Sequence, residues 1–270
     1  MMFPFILPWD DAATSFANLS DRLHKPAGLY SFVTEKNGHL FAGDSRIRFV
    51  GMNFSFSAAM PASNRDAEVI AARLAKFGVN CVRLTLLDSK PAPEGILRAD
   101  MRTFDAEAVD RLDYFVHQLK QNGIYVLLQL HVARTYPGLS NDAGTPLHHA
   151  GIDNYFGAAI DLQKEYARKL LGHLNPYTGK RYADDPVVAF VEINNENALS
   201  HSWWNGSLDK APNVFRDDLQ AKWNEWLTSR YANQTALKKA WPNDLVGTDV
   251  LSNGKNWSDF SQWSLLQSRG

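Results

Sequence analysis

The sequence predicts an α/β fold in which a parallel sheet is covered by helices and preceded by an antiparallel hairpin. Three observations predict it. Short, nearly continuous apolar runs such as VNCVRLTLL, IYVLLQLHV and VVAFVEI alternate with stretches of helical period. Glycines stand just past the first two of those stretches, where helices stop. Ahead of the alternation, YSFVTE and HLFAG are joined by Lys36-Asn37-Gly38, and an Asn-Gly pair between alternating runs marks a hairpin.

The hairpin occupies residues 30 to 50 and turns again at Asp44-Ser45 into RIRFV. The first parallel strand is IRFVGMNF, ending at Asn53. Ser63 or Asn64 caps a helix through RDAEVIAARLAKF, whose Val69, Ile70, Leu74 and Phe77 form one stripe before Gly78. The second strand, VNCVRLTLL, carries Arg83 inside and Asp88 at its end. A helix over DAEAVDRLDYFVHQLKQNG follows, with Val109, Leu112, Val116 and Leu119 in register and Gly123 as its stop. The third strand, IYVLLQLHV, delivers His131. A longer connection holding His148 and His149 leads to the helix DLQKEYARKLLGHL, stopped by Asn175-Pro176. The fourth strand is VVAFVEINNEN. Beyond residue 200 the rhythm breaks: FRDDLQAKWNEWLTSRY and TALKKAW read as two further helices, residues 242 to 270 as irregular, and no fifth parallel strand is expected.

Composition bounds the function. A net charge of −1 over 270 residues argues against nucleic acid or an anionic membrane as the main partner. The opening MMFPFILP is too short to span a bilayer and lacks the basic n-region of a signal peptide. Either the protein is cytoplasmic or an export signal lies outside this chain. The single cysteine, Cys81, excludes an internal disulfide and any multi-cysteine zinc site, and its apolar neighbours make it a core thiol. Neither GxGxxG nor GxxxxGK[ST] occurs, so no nucleotide cofactor is expected.

Each strand ends in a group suited to chemistry or to binding hydroxyls: Asn53, Asp88, His131, then Asn195-Glu196. Functional residues sit at such ends in (β/α)8 barrels and in doubly wound sheets alike. Strand alternation puts Glu192, Asn194 and Glu196 on one face. Four steps at ~3.3 Å place the two glutamates roughly 13 Å apart, too far for a catalytic carboxylate pair. Glu192 therefore reads as an interior carboxylate paired with Arg83, and Glu196 as a carboxylate at the rim, beside amides that could hydrogen-bond hydroxyls. His148-His149, with His131, raises a metal site, but adjacent residues point apart and no HExxH is present, so none is expected. Trp203 and Trp204 either stack on sugar rings or pack their loop. Trp223, Trp226 and Leu227 read as the core face of a helix. Asp88 either lines a cleft or caps its loop.

The run EINNEN resembles the fourth-strand acid/base motif of clan A glycoside hydrolases, above all family 5 (cellulase-like). RIRFVGMN, VRLTLLD and VLLQLHV are similar to the preceding strands of that family, and HLNPYTGKRYADDPVVAFVEINNEN and FRDDLQAKWNEWLTSRY to a bacterial branch, so the resemblance covers most of residues 28 to 240. It implies a (β/α)8 TIM-barrel fold, hydrolysis of β-linked glycans with retention, and no cofactor. It further implies Glu196 as general acid/base, Asn195 on the substrate 2-hydroxyl, Arg83 holding the active-site carboxylates and His131 at the sugar-binding floor. Asn53, Asp88, Trp203 and Trp204 are the other expected substrate-binding residues.

One departure stands against the family pattern. The family's nucleophile is a glutamate after the seventh strand, and only four strand-helix units are expected here. The expected organisation is an N-terminal segment and hairpin over 1–50, then a partial barrel over 47–270 with a helical insertion from about 203. The rest of the barrel would come from a longer chain or from a partner copy in a homo-oligomer. A half barrel also exposes a sheet edge, so association is expected. The rival readings are a non-catalytic carbohydrate-binding or scaffold protein, and a metal-dependent hydrolase built on the histidines.

Overall fold

The computed structural model describes residues 8–11, 16–231 and 233–240. The opening apolar run lies largely, and the irregular reading of 242 to 270 wholly, outside the described residues. The chain divides into two compact units. The first joins Met1–Pro137 to Gln163–Glu196, and the second joins Gly138–Leu162 to Asn197–Gly270.

In the first unit, β1 (Val33–Lys36), β2 (His39–Ala42) and β3 (Ser45–Arg46) form an antiparallel sheet, with Lys36 opposite His39 across the Asn-Gly turn. The main sheet is parallel, in the order β4 (Gly51–Ser55), β5 (Cys81–Thr85), β6 (Tyr125–Gln129) and β9 (Val188–Glu192). Between β6 and β9 the chain forms a short hairpin of β7 (Leu174–Asn175) and β8 (Lys180–Arg181). Asn53 pairs with Arg83, Arg83 with Leu127, and Leu127 with Phe190, so one row crosses all four strands.

Alternation gives the sheet two unlike faces. Val82, Leu84, Val126 and Leu128 point one way and are fully buried against α1 (Asn64–Lys76) and α2 (Ala106–Gln121). The helices contribute Ala67, Ala71 and Leu74, and Leu112, Phe115, Val116 and Leu119, to that core. From α3 (Gly157–Gly172), Tyr166 and Leu170 join them. The opposite face carries Asn53, Arg83, Leu127, Gln129, Phe190 and Glu192.

Local sequence explains the helix limits. The Ser63 hydroxyl accepts from the Asp66 amide at 3.1 Å, capping α1, and the Asp105 carboxylate does the same for Ala108 at α2. Gly123 follows α2 at φ +79°, and a Cβ there would stand 2.8 Å from the His24 carbonyl, so the position demands glycine twice over. A buried ion pair between Lys120 and Asp185, 2.7 Å long, ties the end of α2 to the segment that leads into β9.

Three expected boundaries shift. β4 runs to Ser55, past Asn53. α3 starts at Gly157, four residues before the apolar period, and stops at Gly172, so Asn175 belongs to β7 and does not end a helix. β9 stops at Glu192, so the face alternation and step count extrapolated to Glu196 do not apply.

In the second unit, α4 (Leu199–Trp204), α5 (Ser207–Lys210), α6 (Asn213–Arg230) and α7 (Gln234–Ala240) follow in order. Ile152, Tyr155, Leu208, Ala211, Phe215 and Leu219 form its apolar cluster. Of the expected helix core, Leu227 is buried. Trp226 is 45 % exposed and stacks on Trp223 with ring centres 5.0 Å apart.

Candidate active site

Arg83 lies in the middle of β5 among apolar neighbours, where a half-buried guanidinium is costly without an anionic partner. It finds Glu192 on β9: Nε donates to Glu192 Oε2 at 2.8 Å and a terminal nitrogen lies 2.7 Å from the same oxygen. Its other terminal nitrogen donates to Asn53 Oδ1 at 3.3 Å. Gln129, on the intervening β6, donates to Glu192 Oε2 at 2.9 Å. The Gln129 carbonyl in turn accepts from the Thr85 hydroxyl and, at 3.3 Å, from the Leu86 amide. One polar girder thus crosses β4, β5, β6 and β9. With its Oε2 committed to three donor atoms, Glu192 is a positioning group, as its pairing with Arg83 implied.

Above the girder, past the strand ends, a second network is buried. Asp88 Oδ2 lies 3.0 Å from His131 Nδ1, and His131 Nε2 lies 3.4 Å from the Tyr136 hydroxyl. Arg134 stacks over Tyr136 and Tyr166 and approaches Asp88 at 4.0 Å. Burial, and after it the Asp88 charge, pushes the Tyr166 phenol well above its ordinary range, so it stays neutral. Asp88 and His131 are 2 % exposed, so each is partner to the other in the interior.

Asn195 and Glu196 follow β9. The Asn195 backbone N–H donates to the His131 carbonyl at 3.0 Å, which fastens this segment to the buried network. Glu196 has φ +50°, a left-handed conformation that costs a non-glycine residue roughly 1–3 kcal/mol. Its side chain is exposed and makes no hydrogen bond or ion pair with the described residues. Phe56 and Leu86, the residues directly after β4 and β5, are also left-handed, at φ +54° and +61°. Strained backbone therefore gathers at the carboxyl ends of the sheet.

Six of the expected residues fall in the first unit: Asn53 and Arg83 at the middle of their strands, and Asp88, His131, Asn195 and Glu196 past the strands' carboxyl ends. Trp203 and Trp204 belong to the second unit, on α4: Trp203 packs on its apolar cluster and Trp204 is 72 % exposed. Within the same unit Asn197, the last residue of EINNEN, is buried. It accepts from the Gly151 amide at 2.9 Å and donates to Asp153 at 2.7 Å. His149 is buried with Nε2 3.0 Å from the Ser140 carbonyl. Gln129, Tyr136 and Arg134 were not anticipated. Gln129 had one signal, an amide inside an apolar strand that must find partners.

The family model for cellulase, glycosyl hydrolase family 5, matches residues 42–237. The chain belongs to glycosyl hydrolase family 5. Over 167 residues it is 30 % identical to mannan endo-1,4-β-mannosidase 3 of Oryza sativa subsp. japonica, covering 57 % of this chain and 35 % of that protein. This family 5 chain therefore spans about a third of that relative's length. Among solved structures, it resembles the endo-1,4-β-mannanase of Rhizomucor miehei with a TM-score of 0.51 and 19 % identity, covering 85 % of this chain and 67 % of that one. A family 5 mannosidase of the same organism gives 0.50 and 16 %, covering 80 % and 55 %. At these identities the likeness establishes the fold, that of family 5 barrels, of which four parallel strands are described here.

Proposed function

We propose that this family 5 chain carries the acid/base half of a retaining glycoside hydrolase acting on β-1,4-linked mannan. Glu196 protonates the departing glycosidic oxygen and then activates water, and Asn195 bonds the sugar 2-hydroxyl, where hydrogen bonds strengthen in an oxocarbenium-like transition state. The observation that carries the reading is the setting of Glu196. It is an exposed carboxylate without a hydrogen-bond or ion-pair partner among the described residues, in a strained conformation directly after Asn195, whose backbone amide is fixed to the His131 carbonyl. Within the first unit, Asp88 and His131 support the floor, and Arg83 and Asn53 hold its polar edge. The mannan assignment follows the rice relative's name, at 30 % identity.

Retention requires a second carboxylate about 5–5.5 Å from the first. We assign it to residues outside the four described strands, supplied by a longer chain or by a partner copy. The test is hydrolysis of aryl β-mannoside, β-glucoside and β-galactoside together with manno-oligosaccharide binding. The expected result is binding without turnover for the isolated chain. In an active, completed form, Glu196→Gln is expected to lower kcat by roughly 10²–10⁴-fold, with less loss on substrates whose leaving group needs no protonation. Turnover by the chain alone that vanishes in Glu196→Gln would place the second carboxylate within these residues or across an oligomer. Activity untouched by that change would sink the acid/base assignment, and sugar binding that no completed form converts to turnover would favour a carbohydrate-binding scaffold.

A further inference from the structure

At the opposite, amino-terminal edge of the main sheet lies a half-open pocket of about 200 Å³. It is lined by Arg22, His24, Arg46, Arg48, Asn80 and Tyr125, among others, and no acidic residue among those described contributes to it. The three guanidiniums make no ion pair with the described residues. Asp44, close to Arg46 in sequence, pairs instead with Lys36 at 3.9 Å. Three arginines converging on one concavity repel one another unless an anion joins them.

The wall is built to keep that arrangement. Asn80 donates to the Arg48 carbonyl at 2.8 Å and accepts from the Val50 amide at 2.7 Å, which holds the segment bearing the arginines on the sheet. The Ile47 amide donates to Leu40 at 2.9 Å and fixes it from the other side. Tyr125, the first residue of β6, is 1 % exposed, and its hydroxyl has no hydrogen-bond partner among the described residues. Buried hydroxyls are nearly always paired. A hydroxyl that has lost water without gaining a partner among the described residues leaves one donor uncommitted in a residue of the pocket wall.

We propose that this pocket binds a tetrahedral oxyanion, a phosphate or sulfate group, with Arg22, Arg46 and Arg48 supplying forked donors and Tyr125 a hydroxyl. Guanidinium forks match the oxygens of such groups in pairs. The volume far exceeds the ~30 Å³ share of one water, so the group fits either free or as an ester on a small sugar. The site stands apart from Glu196 and does not depend on the glycosidase reading.

The experiment is calorimetric titration of the 270-residue chain with inorganic phosphate, with sulfate, and with a hexose 6-phosphate, each against chloride at matched ionic strength. Saturable, mutually competitive binding is expected, weakened at least tenfold in the double variant Arg46→Gln/Arg48→Gln. Tyr125→Phe is expected to weaken it several-fold, and Arg65→Gln, an exposed arginine elsewhere, to leave it unchanged. Tighter binding of the ester than of free phosphate would identify an esterified ligand, and equal binding a free anion. A response no greater than that to chloride, or one that survives in the folded double arginine variant, overturns the proposal. Circular dichroism checks each variant's fold, and the arginine pair lies on the surface, so its test stands even where Tyr125→Phe is unstable.

Discussion

Arg83 reaches across β6 to Glu192, and the residue it passes, Gln129, bonds the same carboxylate oxygen. Removing the carboxylate leaves a half-buried guanidinium and an amide facing each other without an acceptor. Glu192→Ala is therefore expected to lower unfolding stability by about 2 kcal/mol, less than the ~3–5 kcal/mol typical of a fully buried pair because both partners keep some solvent contact. Glu192→Gln, which retains an acceptor, is expected to recover about half of that. Urea unfolding of the three proteins measures both, and a Glu192→Ala protein as stable as the parent would refute the account. The pair itself was legible in the sequence, because two opposite charges inside apolar strands require one another. The link between Asp88 and His131 was not. Each was read as a separate strand-end group, since a contact between loops depends on where each chain turns after its strand, and left-handed residues such as Leu86 set those turns.

At the scale of elements, α1 and α2 were readable from period, cap and terminal glycine, although in α1 Phe77, expected on the core stripe, is 49 % exposed and Ala67 and Ala71 join Leu74 on the core face. The hairpin of β7 and β8 was missed. Besides its own pairing, it is clamped by Asp113 on α2. That carboxylate is buried and accepts from His173 Nε2 and from the Tyr182 hydroxyl, both at 2.6 Å, while Asn175 donates to the Asp113 carbonyl at 2.9 Å. A sequence period cannot reveal a long-range clamp of this kind. The clamp has a pH signature. The hydrogen bond to Asp113 raises the His173 pKa above its ordinary 6.5. The protonated ring thus adds stability that is fully present below about 6.5 and fades as pH rises through the raised folded value. Tyr182, whose phenol burial pushes far above its usual range, stays neutral throughout. His173→Gln should therefore cost more stability near pH 5.5 than near pH 9, read from denaturation midpoints at both values. An equal cost at the two would show that the charge contributes nothing.

For the sheet as a whole, what remains open is as informative as what is packed. β4 and β9 are its edges among the described residues, and on the side of the sheet that α1 and α2 cover at its centre the edges carry exposed apolar groups. Met52 is 48 % exposed on β4, Val191 is 41 % exposed on β9, and Ile193 just beyond is 74 % exposed. Unpaired edge backbone beside apolar side chains is a template for association, and natural edges usually carry charge to prevent it. The alternating strands and helices showed the sequence to be an α/β fold, and the family match adds the barrel type. What it did not disclose is which residues the uncovered edges leave facing solvent, because burial at an edge depends on neighbours that a strand pattern does not contain. The expected consequence is concentration-dependent self-association of the 270-residue chain in sedimentation velocity. Val191→Lys/Ile193→Lys, which places charge on the β9 edge without touching Glu192 or Glu196, should shift the distribution towards monomer. A parent protein that stays monodisperse and monomeric at high concentration would mean that these edges are covered within one chain. A variant that associates as strongly as the parent would move the contact to the β4 edge, where Met52→Lys provides the matching test.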